Sequence, residues 1–349
     1  MKKFYVRFVS LALALFFTLN CAGIGFRIEP NPGQAPSTVD ISDQEAIHIQ
    51  YLGTSGFLIY RDGHGLLTSP LYSNPSIFKV GFGRIAPDTI MIDRLYPNMA
   101  CVKIEAILVG HAHYDHLLDV PYVALRHTPE AVIYGSASTG RLVSLADSSL
   151  IGRMKVLEQE LSREGRPGHW FYLADSTLRF MAIESDHGPH ALGVHVMQGE
   201  VREGLKKLPR SAWAWREGVT IAYLIDFLDD ECQTVFRIHF QDATSHYPLG
   251  APPSFAPPDT HRLDLAIVAV GSWFQVPGYP GKLLWYHQPR QVILGHWEGF
   301  FRSPLKSPRP IPYSARLRPF IPYVEANLAE DATWLLPKPG AVYTFLPTR

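Results

Sequence analysis

The hydrophobic positions of this 349-residue chain gather into short runs that predict strands. Ala106-Ile107-Leu108-Val109-Gly110 is short, apolar, β-branched and closed by glycine, the pattern of a buried strand that ends on a loop. Leu178 to Ile183 and Thr234 to Phe240 alternate as strands do. Val219 to Ile225, Leu265 to Val270 and Gln291 to Gly295 extend the series. Upstream, Tyr51 to Ile59 and Leu66 to Pro70 flank Arg61-Asp62-Gly63-His64-Gly65, a hairpin turn by its glycines. A helix is expected from Leu117 to Leu125. The 29 prolines cluster in loops such as Pro248 to Pro258 and Pro304 to Pro312, and no internal repeat or low-complexity tract is evident.

The loop after the first of these strands carries the chemistry. Residues 111–116 read His-Ala-His-Tyr-Asp-His, four metal-binding side chains within six residues. Imidazole nitrogen and carboxylate oxygen are the donors that zinc and its neighbours prefer. Alternate spacing lets His111 and His113 point the same way along extended backbone. Asp115 and His116 follow on the turn into the helix, placed for a second ion. The plain alternative is a polar loop that happens to be rich in histidine.

This hexad resembles the His-x-His-x-Asp-His signature of the metallo-β-lactamase superfamily of metal-dependent hydrolases. The resemblance extends to the opening hairpin, where Ser69 stands in place of a frequent aspartate, and covers residues 46 to 346. It implies an α/β fold: a four-layer αββα sandwich of two mixed β-sheets flanked by helices, with a one- or two-metal site where the sheets meet. It also implies downstream ligands, each after a strand. His187, in Glu184-Ser185-Asp186-His187-Gly188-Pro189-His190, is favoured as third ligand of the first metal, with His190 the alternative. Gln241-Asp242-Ala243-Thr244 is similar to the family's Gly-Asp-Thr segment, whose aspartate bridges both metals, with Gln241 replacing the glycine. His296, in Gly295-His296-Trp297-Glu298-Gly299-Phe300-Phe301, resembles the final motif of the branch that includes N-acylphosphatidylethanolamine phospholipase D and lactonase-like enzymes. The first metal would then take His111, His113 and His187. The second would take Asp115, His116 and His296, with Asp242 shared.

Such a set implies a metal-dependent hydrolase in which two divalent ions, roughly 3.5–4 Å apart, activate a bridging hydroxide. Zinc is the default; manganese or iron suits the same donors. Asp115 is the candidate general base. No Gly-x-Ser-x-Gly elbow or reactive Cys-His arrangement offers another nucleophile. The branch resemblance points to a phosphodiester, with an ester or lactone as the alternative. A reading of another class is a non-catalytic envelope lipoprotein whose metal braces a binding surface. Asp119, Asp186 and Ser245 are candidates for orienting the imidazoles. His190, His246, Trp273 and His287 are candidates for lining the substrate pocket. The segments 191–218, with Trp213 and Trp215, and 271–279 would set specificity for a small-molecule or lipid-like substrate, or else pack over the sandwich edge. The other histidines, His239 among them, read as solvated or satisfied by backbone.

The N-terminus adds an address. Met1-Lys2-Lys3 and Arg7 precede Phe8 to Leu19, an apolar run too brief for a comfortable membrane span, and Cys21-Ala22-Gly23 follows. The pattern is expected of a signal peptide over 1–20, with lipid attached to Cys21 after cleavage as in bacterial lipoproteins. A proline- and glycine-bearing tether over 21–43 would lead to a single hydrolase domain over 44–349. The chain would be exported to the cell envelope and held at the membrane by that anchor. Asn20 departs from the small residue preferred before the cysteine. Cys101 and Cys232 remain as a disulfide candidate. Charged residues make up 18% of the chain, below an average of about 25%, and 32 basic residues balance 32 acidic ones, so no nucleic-acid surface is implied. Lys206, Lys207 and Arg210 form a local basic cluster, read as a solvated loop.

Overall fold

The computed structural model describes residues 29–35, 45–97, 101–190, 193–257, 259–302, 308–311 and 315–347. The signal-peptide region and Cys21 lie outside them. Fourteen strands run through the described chain: β1 (Ile47–Gly53), β2 (Gly56–Arg61), β3 (His64–Thr68), β4 (Lys103–Leu108), β5 (Val132–Gly135), β6 (Met154–Val156), β7 (Trp170–Leu173), β8 (Leu178–Ser185), β9 (Thr220–Leu228), β10 (Thr234–Phe240), β11 (Leu265–Ala269), β12 (Gln291–Gly295), β13 (Thr333–Leu335) and β14 (Val342–Phe345). They form two seven-stranded sheets, ordered β14-β1-β2-β3-β4-β5-β6 and β13-β12-β11-β10-β9-β8-β7. Both sheets are mixed in the same way. In the first, the pairs from β14 to β3 are antiparallel and those from β3 to β6 parallel. In the second, β7 to β10 pair antiparallel and β10 to β13 parallel.

Burial explains why these runs became strands. β1, β9 and β11 are buried along their whole length, as strands covered on both faces must be. The central core joins Ile49, Phe57, Leu66 and Leu108 of the first sheet to Phe180, Tyr223, Ile238 and Ile267 of the second, and includes Leu284 and Phe320 of the helices Gly281–His287 and Leu317–Glu325. A second core lies between the first sheet and the helices Thr89–Leu95, Val120–Arg126 and Ala137–Ala146, filled by Ile107, Ile92, Val123 and Leu142. Helices therefore cover both sheets, giving the expected αββα sandwich.

Three local departures have physical reasons. The helix expected over Leu117–Leu125 is two pieces, Tyr114–Leu117 and Val120–Arg126, the second started by Pro121 in its first turn. β10 alternates as expected, but Arg237 and His239 on its polar side are buried. His239 Nε2 bonds the Gly250 carbonyl at 2.7 Å, the backbone satisfaction expected of it. Part of the segment read as a tether lies against the domain: the Asn31 and Gln34 amides donate to Leu336 and Val342 carbonyls at 2.8 Å each. Cys101 and Cys232 are free and exposed.

Candidate metal centre

Four strands end near one another, and each is followed within three residues by a candidate ligand: His111 after β4, His187 after β8, Asp242 after β10 and His296 after β12. The sheets are tied at this point. Ile221 N–H donates to the Gly110 carbonyl at 2.7 Å, and the Tyr223 hydroxyl to the Val109 carbonyl at 2.8 Å. Gly110 has no alternative there, because a Cβ at that position would run into the Asp242 carboxylate. Glycine thus lets a first-sheet strand end lie directly against a second-sheet side chain.

The side chains assemble into three overlapping groups whose donor atoms lie within 4.8 Å of one another: His111, His113 and His187; His111, His116 and Asp242; Asp115, His116 and His296. Ring centroids of His111 stand 4.7, 4.0 and 4.7 Å from those of His113, His116 and His187, and His116 lies 5.2 Å from His296. His113 has extended backbone. Asp242 Oδ1 is 3.2 Å from His111 Nδ1, and its Oδ2 is 3.2 Å from His116 Nδ1. Asp115 Oδ2 lies 3.4 Å from His116 Nε2 and 3.7 Å from His296 Nε2.

Electrostatics divide the cluster. Burial, reinforced by neighbouring imidazoles, pushes His111, His113 and His187 below the usual histidine range, so they are neutral and keep a lone pair. His187 Nδ1 donates to the Gly188 carbonyl at 2.7 Å, which fixes Nε2 as its free donor to a cation. Burial also opposes charge on His116, but Asp115 and Asp242 outweigh it and lift this residue to about 10. Burial would likewise raise Asp115 and Asp242; the adjacent histidines overcome it and hold both carboxyls below their ordinary value.

The donor set fits a cation. His111 Nε2 and His296 Nδ1 are buried with no hydrogen-bond partner, and His116 Nδ1 and Asp242 Oδ2 face only each other, at 3.2 Å. Buried polar atoms are nearly always paired, so unpaired imidazole nitrogens within a cluster of nitrogen and oxygen donors call for a positive centre among them.

The remaining candidates fall into distinct places. His190 stacks on His187 at 4.5 Å and lies 5.2 Å from His113, with Nδ1 accepting the Val196 amide at 3.3 Å. Asp186 and Ser245 bond each other, and Asp186 Oδ2 also takes the half-exposed His246 ring at 2.7 Å. Asp119 accepts from the Tyr72 and Ser73 amides at 2.7 and 2.8 Å and from the Ser73 hydroxyl at 2.6 Å, anchoring the chain after β3. Ser69, buried beside β4, donates to the Leu108 carbonyl. Trp273 donates to the Ala315 carbonyl and stacks on Tyr323 at 5.5 Å. Trp215 is fully buried and donates to the Pro209 carbonyl, whereas Trp213 is 41% exposed and donates to the Gly81 carbonyl. His287 closes a helix beside Tyr247.

No protein-family model matches the chain, and no curated protein matches it. Solved structures similar to it include Igni18, a metallo hydrolase from the archaeon Ignicoccus hospitalis, at 17% identity over 87% of this chain and 100% of that one, with a TM-score of 0.49. The metallo-β-lactamase fold protein YhfI of Bacillus subtilis is 13% identical over 86% of this chain and 100% of its own, at a TM-score of 0.47. An isothiocyanate hydrolase from Delia radicum gut bacteria is 12% identical over 86% and 100%, at 0.49. The architecture stands on strand order and register, and the centre on its own distances.

Sequence reasoning missed one group outright. Tyr51 and Glu298 are fully buried and bonded to each other beside His296. Nothing in the local pattern marks Glu298 as buried; only its place two residues past a candidate ligand could have drawn attention to it.

Proposed function

We propose that this chain is a metal-dependent hydrolase of the metallo-β-lactamase superfamily with two divalent cations, zinc by default, and that its substrate is a phosphodiester. The convergence of seven donors from four strand ends carries the reading. His111, His113 and His187 would hold one cation, Asp115, His116 and His296 the other, with Asp242 between them. Bound there, the cations would acidify a shared water and neutralise charge gathering on the oxygens of the scissile group. The Asp115 carboxylate accepts the proton that the attacking water gives up. His190 takes the Val196 amide on Nδ1, so its proton sits on Nε2, available to a substrate oxygen.

Resemblance of the His296 motif to the phospholipase-D-like branch supports the phosphodiester. Seven donors exceed the four that a closed structural zinc takes, which supports an enzyme over a metal-braced binding lipoprotein. Elemental analysis of the purified chain, with hydrolysis of bis(p-nitrophenyl) phosphate measured beside a lactone panel, tests the proposal. About two metals per chain and phosphodiester turnover are expected. Turnover of lactones alone would move the substrate class to esters and lactones, and metal with turnover of neither would favour the binding protein. The basic start, apolar run and Cys21 support export and lipid anchoring, to be checked by palmitate labelling that a Cys21→Ser variant should lose.

A further inference from the structure

His296 sits on backbone that few residues with a side chain adopt. Its φ is +53°, in the left-handed region that only a few per cent of non-glycine residues enter, with asparagine, aspartate and histidine the commonest among them. Something must hold it, and the adjoining contacts show what does. The His296 amide donates to the Tyr51 hydroxyl oxygen at 3.1 Å. Tyr51 Oη lies 2.5 Å from Glu298 Oε2 and 3.0 Å from the Thr54 carbonyl, and Glu298 Oε1 accepts the Thr54 amide at 2.5 Å. Tyr51 and Glu298 are both at 0% exposure. A fully buried carboxylate with no cationic partner among these contacts is costly, yet its two oxygens are matched to two donors across the turn between β1 and β2. The His296 ring, in contrast, brings Nε2 to 3.7 Å from Asp115 Oδ2 and leaves Nδ1 buried without a hydrogen-bond partner.

We infer that Tyr51 and Glu298 are positioning residues for the second cation: the carboxylate fixes the phenol, the phenol fixes the His296 amide, and the left-handed turn aims the imidazole at Asp115 and His116. The inference rests on the two-cation reading and adds a residue pair that neither contacts a cation nor belongs to the hexad. Tyr51→Phe removes the oxygen that accepts from His296 while keeping the ring packed on Phe57 at 4.8 Å. Glu298→Ala removes both acceptors. Glu298→Gln keeps one and offers an amide N–H to the phenol oxygen, which can still donate to the Thr54 carbonyl.

The test is a Co(II) titration of the full chain followed by absorbance, with thermal unfolding of the metal-free protein alongside. In Tyr51→Phe and Glu298→Ala the second equivalent should bind about 10- to 100-fold more weakly, while the first equivalent, at His111, His113 and His187, stays within about threefold. Glu298→Gln should recover most of the loss. His296→Ala combined with Tyr51→Phe should be no worse than His296→Ala alone. Two wild-type affinities in Tyr51→Phe would overturn the inference, as would equal weakening of both equivalents with a matching fall in melting temperature. If Tyr51→Phe does not fold, Glu298→Gln and Glu298→Ala decide: equal second-equivalent affinities overturn it. A wild-type chain that binds less than one equivalent overturns the two-cation reading itself, an outcome separable from failure of the positioning pair.

Discussion

Two clusters of charge lie buried in this molecule, and they are built oppositely. In the second sheet, Asp226 is fully buried and takes Arg237 through two bonds of 2.7 and 2.8 Å, while Arg179 adds bonds of 3.0 and 2.8 Å. Asp259 and Thr234 complete the set, and the two guanidinium groups lie over Trp170 and Phe255 at 4.1 and 4.9 Å. Every charge there meets its opposite, and Asp226, Arg179 and Arg237 have no orphaned atom. The His111–His296 cluster has carboxylates and imidazoles, contains neither lysine nor arginine, and leaves His111 Nε2 and His296 Nδ1 buried without partners. Burial and charge are common to both; unfinished bonding is confined to one. That difference separates a structural network from a site.

Removing one aspartate from each cluster challenges that separation most directly. Asp242→Ala should cost about a thousandfold or more in turnover, the several kcal/mol of transition-state charge stabilisation that metals supply, and should lower metal content. Asp226→Ala should leave metal content at the wild-type value yet destabilise the fold by about 3–5 kcal/mol, because Arg237 and Arg179 lose their shared buried partner and are left with Asp259 alone. Denaturant unfolding and elemental analysis of both variants read the two effects; a metal loss in Asp226→Ala would erase the distinction.

Asp119 should show a smaller effect. It is a buried carboxyl of a third kind, with neither cation nor guanidinium, and burial lifts it to about 6 despite its bonds to Ser73 and Tyr72. With a folded value above the 3.8 of the free side chain, its contribution is full below 3.8 and is lost as pH rises through about 6. Stability should therefore decline between those limits by up to about 3 kcal/mol, since each tenfold gain in proton affinity on folding is worth about 1.4 kcal/mol. Asp119→Asn should flatten that slope in urea unfolding curves taken from pH 4 to 7. An unchanged slope would assign the decline to other groups.

Legibility in the sequence follows how local each feature is. The hexad is plain because one strand and one turn carry four donors. His187, Asp242 and His296 can be named because each directly follows an apolar run, and the structure brings all three to the hexad. Nearness to the strand end favours His187 over His190; in the structure His187 groups with His111 and His113, and His190 stacks on His187 at 4.5 Å. The aromatic loops are not legible: Trp213, Trp215 and Trp273 look alike on paper, yet Trp215 is fully buried and Trp213 is 41% exposed. Glu298 and the Asp226–Arg237 pair are equally hidden, because a charged residue in a short segment reads as solvated until a distant chain covers it.

The hexad hangs from one sheet and the other three donors from the opposite one, so neither half of the polypeptide owns a complete set. A chain severed in the exposed turn at Glu164-Gly165, between β6 and β7, would yield two fragments that must find each other before a pair of cations could be gripped. Reunion of such fragments would become a switch thrown by the ions themselves.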